Sequence, residues 1–169
     1  MMVLAVRVGA IMAREIERKY LVENDAWRRE APPGVPIVQG YLSADPDRSV
    51  RIRIAGDDAF VTIKGKAQGS ARDEYEYPIP KDDAAEILEN LCLKPPIEKT
   101  RYIVRRGDLK WEIDEFAGEN RGLVTAEVET AKPSAEIEKP AWLGKDVTAD
   151  PRYANVRLAR HPFSQWERM

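Results

Sequence analysis

Residues 15–22, EIERKYLV, place three charged side chains two positions apart. Because successive side chains of a β-strand point to opposite faces, Glu15, Glu17 and Lys19 are predicted to share one face. Ile16 and Tyr20 then lie on the other face. A single strand of this kind is ordinary in a sheet that has one face in water. This pattern of charges indicates a particular fold only if other strands repeat it.

Period-2 alternation does recur through most of the chain, and short connections containing glycine, aspartate or serine separate the segments. This spacing is typical of antiparallel strands joined by hairpins. The predicted strands are 15–22, 37–43, 49–55, 59–66, 72–79, 97–105, 109–116 and 123–130. One helix is predicted over 82–91 with Asp82 as its N-cap. A short helical segment is expected around 134–139, and a terminal helix from Tyr153.

Six further strands repeat the same-face charge pattern. The pairs are Arg51 with Arg53, Lys64 with Lys66, Glu74 with Glu76, Lys99 with Arg101, Glu112 with Asp114, and Glu127 with Glu129. The signs are segregated by strand, although like charges opposite one another are destabilising. The cations of the hairpin 49–66 therefore predict a bound anion. If the sheet closes, the carboxylates of 15–22 and 123–130 become neighbours, which predicts a divalent cation.

Closing the eight strands would place the charged face inside a tunnel and the apolar face outside, beneath the helices. The predicted fold class is α+β, mainly β: a closed eight-stranded antiparallel barrel with a few covering helices. Burying unpaired charge is costly, and a wet lumen that binds a polyanion with hard metal ions removes that cost. A short polyphosphate suits arginine and lysine side chains. The open alternative is a β-sandwich with a charged exterior.

Composition narrows the class of protein further. The chain has 169 residues, one cysteine, one histidine and a net charge of −2. These counts argue against disulfides, most zinc sites and a nucleic-acid partner, and they favour a cytoplasmic location. No stretch is long and apolar enough to predict a membrane span. We expect a leader over 1–11, followed by a single tunnel domain over 12–169.

The motifs, taken in order, resemble the CYTH domain of the triphosphate tunnel metalloenzymes. EIERKYLV is similar to the ExExK signature of that family. The further matches are QGYLS (39–43), VRIR (50–53), VTIKGK (61–66), RDEYEYPIP (72–80), KTRY (99–102), WEID (111–114), AEVE (126–129), WLGKDVT (142–148) and RYANVRLA (152–159). The resemblance implies an eight-stranded tunnel that binds a triphosphate with Mg²⁺ or Mn²⁺. Among the members of the family, the chain looks most like the short bacterial inorganic triphosphatases that carry these motifs.

The resemblance also implies roles for individual residues. The implied metal ligands are Glu15, Glu17, Glu127 and Glu129, with Asp114, Glu74 and Glu76 as further candidates. The implied substrate-binding and catalytic cations are Lys19, Arg51, Arg53, Lys64, Lys66, Lys99 and Arg101. Tyr41 is an additional catalytic candidate, and Glu112 is interpreted as a surface residue at a strand end. Two metal ions are expected when the substrate is bound.

The predicted reaction is hydrolysis of a terminal phosphoanhydride, with inorganic tripolyphosphate as the substrate that gives pyrophosphate and phosphate. A small-molecule triphosphate is the expected partner, with no nucleic acid and no membrane. Three alternatives stay open at this level. They are a nucleotidyl cyclase of the class IV adenylyl cyclase type, a thiamine triphosphatase, and a module that binds polyphosphate or nucleotide without turnover.

Overall fold

The chain folds around one antiparallel sheet of nine strands in the computed structural model, which describes residues 16–45, 47–66, 73–130 and 135–166. The strands are β1 (Ile16–Val22), β2 (Val35–Asp45), β3 (Arg48–Ala55), β4 (Asp58–Lys64), β5 (Glu74–Pro78), β6 (Ile97–Arg106), β7 (Leu109–Phe116), β8 (Val124–Thr130) and β9 (Leu143–Asp146). The helices are α1 (Lys81–Asn90) and α2 (Asn155–Arg160). Short 3₁₀ helices cover Asp25–Arg29, Gly118–Asn120, Pro151–Tyr153 and Phe163–Gln165. No helix in these ranges has both the length and the apolar character to cross a bilayer.

The strand order is β5-β4-β3-β2-β6-β7-β8-β1-β9, and every pairing is antiparallel. All eight predicted strands are present, and the mainly-β antiparallel architecture is confirmed. The predicted neighbours β1 and β8 do pair, with Glu17 opposite Glu129 and Lys19 opposite Glu127. The carboxylate-bearing strands therefore meet as the sequence predicts.

Closure by hydrogen bonding differs from the prediction. Within the described residues, β5 and β9 form the two ends of the strand order, so backbone pairing does not complete a ring. β9, which was not predicted, pairs with the C-terminal half of β1 at Tyr20 and Val22. It occupies the edge of β1 that a closing strand would use. The sheet is therefore curved around its charged face without a continuous hydrogen-bonded seam.

The outward face of β1, β7 and β8 packs an aromatic core. Tyr20, Trp111 and Trp142 are fully buried, and the Trp111 and Trp142 ring centroids lie 5.5 Å apart with their planes nearly perpendicular. Trp27, carried by the first 3₁₀ helix, is also fully buried in this cluster. Burying aromatic rings of this size on one face leaves the charged side chains on the other. The expectation of an apolar outer face under covering segments holds for these strands, whereas Ile63 of β4 and Tyr75 and Tyr77 of β5 are exposed.

The helix α1 packs on the outer face of β3 and β4 through Ala84 and Leu88. It comes so close to β2 that a Cβ at Gly40 would lie 3.0 Å from the Cδ2 of Leu88. The predicted N-cap was wrong: α1 begins at Lys81 with Pro80 before it, and no side chain caps it. Asp82 lies in the first turn, where its charge still favours the helix N-terminus.

The segment expected to be helical around 134–139 is irregular over residues 135–140. Pro140 ends this stretch, and a proline disfavours helical backbone at the residue before it. The terminal helix is present as α2, and its Leu158 and Ala159 are buried against β2 and β6. This packing places α2 over one end of the curved sheet.

Candidate active site

The inward face of the sheet encloses a cavity of about 670 Å³. Strand parity explains its lining, because Arg51 and Arg53 point to the same face as their Cα partners Tyr41 and Gln39 on β2. Twelve of the predicted site residues line this cavity: Glu17, Lys19, Tyr41, Arg51, Arg53, Lys64, Glu74, Glu76, Lys99, Arg101, Glu127 and Glu129. The sequence pattern thus brings cations and carboxylates from six strands around one space.

On one wall, formed by β3, β4 and β5, two arginines share a carboxylate. Glu76 lies 3.4 Å from Arg51 and 3.2 Å from Arg53, and it accepts a 2.6 Å hydrogen bond from the Thr62 hydroxyl. The buried Nε–H groups of both arginines have no partner among the described residues. An unpaired buried donor is unfavourable, so this wall has donors available for an anion.

Lys64 continues the same wall and forms a 2.8 Å ion pair with Glu74. Lys66, in contrast, lies beyond the end of β4 and does not line the cavity. Its side chain is 70% exposed, and its ammonium group is 3.4 Å from Asp47. The structure therefore separates Lys66 from the other predicted cations. Glu15 lies outside the described residues.

The opposite wall is built on a buried carboxylate. Asp114 accepts a 2.5 Å hydrogen bond from Lys99, and its two oxygens accept bonds of 2.7 and 2.8 Å from the Arg101 guanidinium. Burial acts to raise the pKa of Asp114, but the two cations outweigh burial and lower it to about 2. Complete burial lowers the pKa of Lys99, and the Asp114 charge opposes this.

Asp114 does not itself line the cavity. Both of its oxygens are engaged by Lys99 and Arg101, which it holds in fixed positions. This geometry favours a positioning role for Asp114 over its predicted role as a metal ligand.

Lys19 lies between the sheet and the C-terminal segment. Its ammonium group is 2.7 Å from Glu127 and donates a 3.1 Å hydrogen bond to the Tyr153 carbonyl oxygen. Burial acts to lower the pKa of Lys19, but Glu127 outweighs it and leaves the pKa above its ordinary value. Lys19 is therefore protonated at neutral pH, which suits the binding of phosphate oxygens.

One end of the cavity is acidic. Glu17, Glu127 and Glu129 lie there on β1 and β8, and Glu112 on β7 is the Cα partner of Glu127. Partial burial in the cavity wall, followed by the neighbouring Glu127 charge, raises the pKa of Glu17 to about 7. A cation between these carboxylates would relieve that repulsion. Their oxygens are the donors that hard divalent ions prefer.

No group of three or more Asp, Glu, His or Cys side chains in the described ranges is already spaced to coordinate a metal ion. Glu127 is engaged by Lys19 and lies 3.6 Å from Arg101. The donor chemistry of this acidic end fits a hard cation. The side chains would have to converge further to ligate one.

Besides Asp45 and Ser49, three groups of lining residues were missed or misinterpreted from the sequence. Glu112 lines the cavity, where it pairs with Arg101 and Lys110, and is not a simple surface residue. Gln39 is fully buried, and its Nε2 lies 3.5 Å from the hydroxyl of Tyr41, whose pKa is raised by burial. Gln39 carries no charge to mark it, although its parity with Tyr41 is a usable signal.

The third group comes from α2, whose Asn155, Arg157 and Arg160 also line the cavity. These residues lie in a helix outside the strand pattern, so period-2 alternation gives no signal for them. The segment RYANVRLA contributes to the family resemblance, but no role followed for its arginines.

The fold and the cavity together define a class of protein: an antiparallel β-sheet protein whose inward face is built to hold a polyanion and hard cations. Within that class, the chain belongs to the CYTH domain family, whose sequence model matches residues 13–160. The family resemblance is thereby confirmed.

Relatives of known activity cover nearly the same length. The chain is 47% identical over 156 residues to an inorganic triphosphatase of Acetivibrio thermocellus, covering 92% of this chain and 99% of the relative. It is 37% identical over 153 residues to an inorganic triphosphatase of Nitrosomonas europaea, covering 86% and 96%. A crystal structure of an inorganic triphosphatase superposes with a TM-score of 0.65 at 36% identity, covering 86% of this chain and 93% of that one.

Proposed function

We propose that this chain is a metal-dependent inorganic triphosphatase that hydrolyses a terminal phosphoanhydride of tripolyphosphate. Water forms a new bond to the terminal phosphorus, the bridging P–O bond breaks, and pyrophosphate and phosphate leave. One observation carries the proposal: cations from both walls project into a single cavity that also has an acidic end. The two relatives of 47% and 37% identity, both inorganic triphosphatases, support the choice of reaction.

The cations bind and orient the substrate. Arg51 and Arg53 present unpaired Nε–H donors on one wall, and Lys99 and Arg101 are fixed on the other by Asp114. Planar guanidinium groups bind phosphate oxygens in pairs, whereas an ammonium group acts as a point charge. Donors fixed in advance stabilise the charge that develops on the leaving oxygen.

CYTH triphosphatases depend on a metal ion. Glu17, Glu127 and Glu129 would hold it, with Glu15 as the further predicted ligand. When bound, hard divalent ions such as Mg²⁺ or Mn²⁺ neutralise phosphate charge and make a water molecule a better nucleophile. The charge balance supports two divalent ions. Eight cationic and seven anionic side chains line the cavity, so the lining has only a small net positive charge. Ionised tripolyphosphate carries about five negative charges, and two divalent ions would neutralise most of what the lining leaves unbalanced.

Lys19 is assigned to binding. Its pKa lies above the ordinary value, so it retains its proton and cannot accept another at neutral pH. It is held between Glu127 and the Tyr153 carbonyl, where it can donate to a phosphate oxygen once substrate enters. Tyr41, whose pKa is raised by burial, likewise remains protonated.

Replacing Arg53 tests the assignment of the cavity. We expect Arg53→Ala to lower kcat/KM for tripolyphosphate by about 100-fold or more, the usual cost of losing one preorganised donor. Stability should change little, because Glu76 keeps Arg51 and Thr62 as partners. Phosphate release with Mg²⁺ or Mn²⁺ is the measurement. The control is Arg29→Ala, which removes the same charge at an exposed site outside the cavity and should leave kcat/KM nearly unchanged. Full activity of Arg53→Ala would contradict the cavity assignment.

A substrate panel separates the alternatives. Tripolyphosphate, ATP, thiamine triphosphate and pyrophosphate are each incubated with either metal, and free phosphate and cyclic nucleotide are quantified. A triphosphatase releases phosphate from tripolyphosphate with the highest kcat/KM and makes no cyclic product. Cyclic nucleotide from ATP would favour a cyclase. Tight tripolyphosphate binding without phosphate release would favour a binding module.

A further inference from the structure

The helix α2 projects two arginines into the cavity. Arg157 and Arg160 are three residues apart, so they lie on the same side of the helix, and both line the cavity. Between them, Leu158 and Ala159 are buried in a cluster that includes Ile97 of β6. The helix is therefore fixed by its apolar residues, while both guanidinium groups are exposed toward the cavity.

These two arginines differ from the other cations of the lining. Each of the other six has a carboxylate within 4 Å: they are Lys19, Arg51, Arg53, Lys64, Lys99 and Arg101. Among the described residues, no carboxylate lies at that distance from Arg157 or Arg160. Their donors can therefore engage a ligand without breaking an internal ion pair.

The two arginines lie on the side of the cavity away from Glu17 and Glu129. The lining carboxylate Asp45 is on their side: its pKa is lowered by hydrogen bonds from Asp47 and Arg48 and, to a smaller extent, by the charge of Arg160. α2 packs in the same cluster as Leu123, directly before β8. Glu129 follows six residues later, and a strand rises about 3.3 Å per residue, so Glu129 lies about 20 Å along the strand from Leu123. The cavity thus has Glu17 and Glu129 at one end and a basic end at α2, which is lined by Arg157, Arg160 and Asp45. Glu127 lies between the two ends, because its partner Lys19 also contacts the Tyr153 carbonyl oxygen.

We propose that Arg157 and Arg160 form a subsite for the terminal phosphate group that is not hydrolysed, and thereby select inorganic tripolyphosphate over nucleoside triphosphates. This inference rests on the proposed function. The reacting terminus belongs at the end where Glu17 and Glu129 lie, so the other terminus extends toward α2. In tripolyphosphate that terminus is a second free phosphate group, which suits two guanidinium forks.

In ATP the corresponding phosphate is esterified to ribose. It carries less charge, and the nucleoside would have to occupy the space in front of α2. The two unpaired arginines therefore bind ATP less strongly than tripolyphosphate. Discrimination arises from this difference in binding and requires no pocket for the base.

The test is the double variant Arg157→Ala/Arg160→Ala. Its kcat/KM for tripolyphosphate should fall at least about tenfold, mostly through a higher KM, because charge-assisted phosphate contacts are lost. For ATP the fall, measured as turnover or as its inhibition constant against tripolyphosphate, should be several-fold smaller. Arg157→Lys/Arg160→Lys keeps the charge and should recover part of the selectivity. Arg29→Ala, which removes one exposed positive charge outside the cavity, is the control and should leave both values nearly unchanged.

Two outcomes overturn the inference. Equal losses for both substrates would mean that α2 only attracts anions in general, and no loss for either would mean that it does not contact substrate. Because both side chains are exposed, the variants should fold as the wild type does, and the melting temperature of each variant checks this directly. A wild-type protein that fails to hydrolyse tripolyphosphate would instead overturn the proposed function, and the inference would fall with it.

Discussion

Asp114 shows how one buried side chain sets the geometry of several exposed ones. It is 1% exposed, and it holds Lys99 and Arg101 through three hydrogen bonds. A carboxylate in this setting must be charged, because the buried Lys99 would otherwise lose its counter-charge. The position of the phosphate-binding groups on this wall therefore depends on a residue that does not touch the cavity.

Removing the Asp114 charge should destabilise the protein in a pH-dependent way. The folded-state pKa lies near 2 and the ordinary value is 3.8, a difference that corresponds to roughly 2 kcal/mol of stability from this group. That contribution is complete above about pH 4 and disappears as the pH falls toward 2. Asp114→Asn should therefore lose at least about 2 kcal/mol at pH 7, and the gap to wild type should narrow below pH 4.

Urea unfolding curves at pH 7, 4 and 2.5 measure this gap. Asp108→Asn, at the exposed turn between β6 and β7, removes the same charge without touching a cation of the cavity and should leave the midpoint nearly unchanged. A gap between Asp114→Asn and wild type that stays constant from pH 7 to pH 2.5 would contradict the ion-pair account.

At the scale of elements, the strands, their faces and the two helices were predictable, whereas β9 and the contribution of α2 to the cavity were not. Charged residues two apart mark an inward face wherever the opposite face packs a core, which is why Arg51, Lys99 and Glu127 are found together. β9 is four residues long, and its partner β1 lies far away in sequence, so no local pattern marks it. Arg157 lies in the helix α2, so period-2 alternation gives no signal for it.

The buried side chain of Leu158 fixes α2 on the sheet, and the position of α2 places Arg157 and Arg160 in the cavity lining. Leu158 is fully buried between the helix and β6, so Leu158→Ala should cost about 2–5 kcal/mol of unfolding free energy. The loosened helix would also hold Arg157 and Arg160 less firmly, and KM for tripolyphosphate should rise more than kcat falls. Urea unfolding and steady-state kinetics measure the two effects.

Leu91→Ala provides the matched control for this prediction. Leu91 is 66% exposed at the end of α1, so the same truncation there should change stability by well under 1 kcal/mol and leave KM unaffected. A stable Leu158→Ala variant with wild-type KM would show that α2 does not need this anchor to shape the cavity.

At the scale of the whole molecule, the charged face is a compromise between folding and binding. Cations and carboxylates that point inward repel their like neighbours, and the ion pairs of both walls only partly relieve this. A ligand that supplies negative charge among the cations therefore stabilises the folded state, since the unfolded chain offers no such cluster. The same interaction weakens as salt screens it.

Thermal unfolding with tripolyphosphate in EDTA should reveal this coupling without turnover. At a ligand concentration of about 100 times Kd, linkage contributes about 2.7 kcal/mol, which for a chain of this size raises Tm by roughly 5–10 °C. The rise should shrink when sodium chloride is added, because screening weakens the contacts between the ligand and the cavity cations. Sodium chloride alone, matched in ionic strength, is the control and should give a much smaller shift. If Tm stays the same across the tripolyphosphate titration, the inward-facing cations do not form a common anion site. The proposal that Arg53, Lys99 and Arg157 bind one substrate in this cavity would then be wrong.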